Sequence, residues 1–138
     1  MAALDTNVLV RLLVRDDAAQ AAQAQARIEQ AASKSIPLFV PITVVLELEW
    51  VLRSRYAYAK QQVLAALAAL LEVREFEWQD EAAVEHALHF YRHHRADFAE
   101  CLHLGCAAAA ATLPLLTFDR GASRLPDVEV IGAATGRR

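Results

Sequence analysis

Apolar and polar positions alternate along the chain in two periods, one short and one helical. Ala2-Ala3-Leu4 is apolar and stops at Asp5-Thr6-Asn7, residues that favour helix N-caps; Val8, Leu9, Leu12 and Leu13 then recur at helical spacing. This pattern predicts a short strand turning into a helix. An Ala- and Gln-rich helix is expected from about Asp17 to Ser33, and Pro37–Pro41 reads as a strand bracketed by prolines, which interrupt a ladder. Helices follow at 43–55 and about 59–72. Val73–Trp78 alternates imperfectly and reads as an edge strand. Asp80 and Asp97 are expected to cap helices reaching about His93 and Thr112, and Leu115–Phe118 and Val128–Ile131 close the pattern as strands. Strands alternating with helices imply an α/β protein with a small central parallel sheet covered by helices on both faces. No repeat or linker interrupts the pattern, so one domain is expected over 1–131. The remainder, 132–138, reads as a flexible basic tail.

Composition narrows this picture. The chain has 138 residues, 56% of them hydrophobic, with 29 Ala, 19 Leu, 4 Gly and 4 Pro. That much apolar side chain excludes disordered and collagen-like classes, and Ala and Leu favour helix. Net charge is −3, which argues against coating nucleic acid by bulk charge and leaves a local site open. The 12 Arg against 2 Lys suit bidentate phosphate contacts, although a GC-rich genome yields the same bias. Cys101 and Cys106 lie five apart on an expected helix, poor geometry for a disulfide. His103 and Cys106 point away from Cys101, so zinc is not expected. The start of the chain reads as having no leader, so the expected compartment is the cytoplasm. The longest uncharged run contains Pro114 and is too short to span a bilayer.

The chemistry lies in the acids. Asp5 and Asp119 each follow a strand directly, where ligands of parallel sheets bind; the alternative for either is a plain helix cap. Like charges on one rim are costly unless a cation joins them. At about 100° per residue, Glu47 falls near Val44, Trp50 and Val51, whereas Glu49 projects to nearly the opposite side. A carboxylate among apolar neighbours must pair, protonate or bind metal, so Glu47 is either a ligand or the partner of Arg53 or Arg11. Asp97 and Glu100 have the spacing of a capping box and also project from a helix N-terminus toward a possible ion. Four or five carboxylates without His or Cys at ligand spacing prefer Mg²⁺, with Mn²⁺ an alternative. Such ions can activate water and stabilise the oxygens of a phosphodiester displacement. Phosphate-loop, dinucleotide and serine-hydrolase motifs are absent from the sequence.

Four blocks then become recognisable: Leu4–Leu9, Val45–Leu52, Ala96–His103 and Leu116–Asp119. In order and spacing they resemble the PIN-domain family, and within it the VapC ribonuclease toxins of bacterial toxin–antitoxin pairs. The likeness extends from Ala3 to about Ile131. The resemblance implies a PIN-like α/β/α sandwich and a metal-dependent endoribonuclease, held in check by a cognate antitoxin and usually a homodimer. Asp5, Glu47, Glu100 and Asp119 match the family's four acids, and Asp97 an accessory one. The third acid is usually Asp, so Glu100 is a departure that leaves open whether it or Asp97 binds the ion. Thr6, Asn7 and Thr117 stand beside acids, where polar groups orient ligands or water. Arg11, Arg15, Arg53, Arg92 and Arg95 are candidates for RNA phosphates, or ordinary solvated surface. His93 and His94 are not expected to act as general acids. The alternatives are a PIN nuclease of RNA processing and a non-catalytic PIN binding module. A phosphoacceptor receiver domain is disfavoured because neither Lys34 nor Lys60 follows a strand.

Overall fold

A computed structural model describes residues 1–132. It is an α/β protein with six α-helices and a three-stranded parallel sheet, as the alternation of patterns implies. The chain divides into two compact units, Met1–Gln79 and Asp80–Arg138.

The first unit runs β1 (Ala2–Ala3), α1 (Thr6–Val14), α2 (Ala18–Lys34), β2 (Leu38–Val40), α3 (Ile42–Arg55), α4 (Lys60–Leu71) and β3 (Phe76–Trp78). The sheet order is β1-β2-β3, with Ala2 opposite Leu38 and Leu38 opposite Phe76. β2 lies in the middle because it is the most apolar strand: Leu38 and Val40 are buried, and Pro37 and Pro41 fall outside its ladder. β3 is an edge strand, as its broken alternation predicts. The starts of α1 and α2 follow acids, those of α3 and α4 follow Pro41 and Ala59. Asp5 and Asp17 accept hydrogen bonds from Thr6 N and Gln20 N, relieving donors that a helix leaves unpaired.

The second unit runs α5 (Glu81–His93), α6 (Phe98–Ala109), β4 (Leu115–Thr117), a 3-10 helix (Arg120–Arg124) and β5 (Val128–Val130). Asp80 caps α5 through Ala83 N at 3.0 Å. α5 and α6 pack closely: Tyr91 meets Phe98 edge to face at 5.3 Å, and Gly105 brings the helix backbones together. β4 and β5 pair in parallel as a two-stranded sheet of their own, so the strands expected in one central sheet form two hydrogen-bonded sheets. Sequence pattern gave no sign of the 3-10 helix, whose five residues are too short and small to show a period. Of the expected tail, Gly132 lies in a turn with φ +77°, and 133–138 lie outside the described residues.

Candidate active site

In the first unit one residue ties two of the candidate acids. Thr6 is buried at the start of α1. Its backbone N–H donates to Asp5 Oδ1 at 2.7 Å, and its hydroxyl donates to Glu47 Oε1 at 2.5 Å. Both carboxylates are solvent-exposed, and each has a second oxygen outside these bonds. Charge-assisted donors of this kind hold the two groups in fixed orientations. Asn7 is exposed in the first turn of α1.

The structure corrects the expected setting of Glu47. The buried residues of α3 are Val44, Val45, Leu48, Glu49 and Leu52, so Glu49 faces inward at 3% exposure, and Glu47 is exposed to solvent although Val44 beside it is buried. The sequence phase was ambiguous because α3 is apolar nearly all round, with Leu46 and Trp50 exposed as well. Arg53 pairs with Glu49 at 2.7 Å, one turn on. This compensates the buried carboxylate and is a pairing that sequence reasoning missed.

In the second unit Asp119 follows β4 and Phe118. Its Oδ1 accepts from Gly121 N at 2.8 Å, and its own N–H donates to the Thr117 hydroxyl at 3.0 Å. Asp97 precedes α6 and makes no side-chain cap bond, so the capping box with Glu100 is not formed. Asp97 is exposed and Glu100 half-buried in the first turn, both at the positive end of the helix dipole.

The candidate phosphate-binding arginines differ in their commitments. Arg11 Nε donates to Gln20 at 2.5 Å, and its Nη1 lies 3.5 Å from Asp16 and 3.4 Å from the Tyr56 hydroxyl. Arg53 serves Glu49. Arg15 caps α1 in the left-handed region, and Arg92 and Arg95 are exposed around the end of α5. Neither cysteine forms a disulfide. Burial, and after it the charge of Asp80, push the Cys106 thiol up, which keeps it protonated and a weak nucleophile.

The acids fit a hard divalent ion by chemistry, being oxygen donors with lone pairs outside their present bonds. Among the described residues no three His, Cys, Asp or Glu side chains gather closely enough to hold an ion as they stand. Asp5 and Glu47, joined through Thr6, are the pair the first unit offers, and Asp97, Glu100 and Asp119 are the candidate acids of the second.

A PIN domain family model matches residues 2–128, nearly the whole chain, and the protein belongs to that family. Members are in general metal-dependent nucleases, so its class is a nuclease-type hydrolase. No curated protein matches the chain. Among the described residues no helix is long and apolar enough to cross a membrane.

Proposed function

We propose that this PIN protein, over 1–131, is an Mg²⁺-dependent endoribonuclease of the VapC toxin type, with Mn²⁺ an alternative ion. Asp5 and Glu47 of the first unit and Glu100 and Asp119 of the second are its catalytic carboxylates, and Asp97 is an accessory one. The observation that carries the reading is Thr6, which donates to both Asp5 and Glu47 and leaves an oxygen of each outside those bonds. A divalent ion, when bound, supplies an activated water and neutralises charge on the phosphate. The protein's own groups do the positioning. Thr6 orients two acids, the Thr117 hydroxyl and Gly121 N–H fix Asp119, and exposed Arg92 and Arg95 offer contacts to RNA phosphates. Arg11 and Arg27 also line a groove beside α1 together with Asn7 and Gln23.

The partners implied are RNA, a cognate antitoxin and a second copy of the chain, in the cytoplasm. Exposed Leu113, Leu116 and Phe118, the last 78% exposed, support an apolar partner segment next to Asp119 in sequence. A basic antitoxin side chain among the carboxylates would compete with Mg²⁺.

The test is cleavage of total RNA by the purified protein, with and without Mg²⁺, and again after adding the antitoxin encoded beside it. Cleavage that needs the ion and stops with the antitoxin supports the reading. RNA left intact at saturating Mg²⁺ and Mn²⁺ sinks it, and affinity for the antitoxin that ignores the ion sinks competition at the carboxylates.

A further inference from the structure

Four of the chain's five histidines lie on α5 or at its end: His86, His89, His93 and His94. Their rings form a connected surface group around Phe90. His86 stacks on Phe90 at 6.3 Å with a 20° interplanar angle, and His94 meets Phe90 from the other end at 6.4 Å. His89 meets Phe90 edge to face at 5.8 Å and also neighbours His93 directly, with ring centroids 4.6 Å apart and planes tilted by 53°. His89 and His93 are both exposed. Their spacing of four residues stacks them one turn apart on the same helix face, the arrangement by which two helical imidazoles share one ion. Glu85, also exposed, stands a turn before His89 on that face and adds a carboxylate of favourable sign.

We propose that His89 and His93 form a two-imidazole site on α5 for a borderline divalent transition-metal ion such as Ni²⁺, Cu²⁺ or Zn²⁺. Imidazole nitrogen selects these ions, whereas the hard carboxylates of the proposed active site select Mg²⁺ or Mn²⁺. The site is therefore distinct in place and in ligand class, and it does not depend on the nuclease reading. Among the described residues no third His, Cys, Asp or Glu completes it, so water fills the remaining positions. His86 is left outside it, its ring stacked on Phe90. An ion bridging residues 89 and 93 ties two successive turns at the C-terminal end of α5. It binds the folded helix and so stabilises it by linkage.

The experiment is a calorimetric titration of the full, untagged protein with Ni²⁺ in excess Mg²⁺, which competes for the carboxylates. Thermal unfolding is followed in parallel. One Ni²⁺ per chain and a Tm rise are expected. His89→Gln and His93→Gln should each weaken binding about a hundredfold, since the second ligand acts at high effective concentration. Both should abolish the Tm rise, while His86→Gln and His103→Gln bind as the parent does. Circular dichroism without metal confirms that the exposed substitutions leave the helices formed. Absence of Ni²⁺ binding by the parent overturns the proposal. So does full-strength binding by the His89→Gln, His93→Gln double variant, or an equal loss in His86→Gln.

Discussion

The Thr6 hydroxyl reaches Glu47 Oε1 at 2.5 Å although 41 residues separate them, and so fastens the start of α1 to α3. The same residue holds Asp5 through its backbone. Removing a buried hydroxyl here acts on the orientation of a carboxylate more than on packing, because valine nearly conserves its volume.

Thr6→Val should therefore lower metal-dependent RNA cleavage by about 10- to 100-fold, the range for a group that orients a ligand. Stability should fall by only about 1 kcal/mol, one hydrogen bond to a solvated carboxylate. Thr6→Ser restores the donor and should restore most activity. Kinetics and denaturant midpoints on the three proteins check this, and parent-like cleavage by the valine variant would show the bond to be structural only.

The two glutamates of α3 should separate function from stability. Glu47→Gln, exposed, should lose cleavage with stability unchanged within about 0.5 kcal/mol. Glu49→Gln should keep cleavage and lose about 1–2 kcal/mol, because a buried charge partner of Arg53 becomes a weaker, neutral one. Equal loss of activity in both variants contradicts the assignment.

Asp5→Asn tests whether the first acid is more than a cap. Asparagine caps helices as well as aspartate does, so Tm should hardly move. Cleavage should drop to background because the ligand's charge is gone. A variant that still cuts RNA at the parent rate assigns Asp5 to capping alone.

Four of the six helices, α1, α2, α5 and α6, were legible because Asp5, Asp17, Asp80 and Asp97 mark their starts, and β2 because prolines fence it. The acids were legible as residues that follow strands or open helices. The phase of α3 was not, since Leu46, Trp50 and Val51 offer a second apolar stripe that competes with Val45, Leu48 and Leu52. Glu49 is buried with Arg53 compensating it, and the four-residue spacing from Glu49 to Arg53 is the local signal that favours this pair over Glu47, six residues away. The bond from Thr6 to Glu47 and the contact of Arg11 with Tyr56 join distant segments, which periodicity cannot show. The unmade capping box at Asp97 and Glu100 shows that spacing permits such a bond without enforcing it.

Cys106 should react slowly with alkylating reagents. Burial and the Asp80 charge raise its pKa, so the thiolate fraction at pH 8 is smaller than in the unfolded chain. The sign carries into stability. The folded chain keeps this proton where the unfolded chain has lost it, so the contribution is complete below the ordinary thiol range and declines as pH rises through it. Mass spectrometry of labelled protein, native against urea-unfolded, measures the difference; equal rates would contradict it.

Gly105 sets how closely α5 and α6 approach. A Cβ there would overlap the carbonyl oxygen of Ala83 and stand 3.1 Å from the Ala87 nitrogen. Both are backbone atoms, which cannot rotate aside as a side chain would. Helix propensity alone favours alanine over glycine by about 1 kcal/mol. Overpacking between rigid helices costs about 1–3 kcal/mol and should win, because relief requires the helices to separate along the contacts around Tyr91 and Phe98. Gly105→Ala is therefore expected to lower stability by about 1–2 kcal/mol with the urea m-value unchanged. A midpoint that rises, as propensity alone dictates, would show that α5 and α6 are not packed through this glycine.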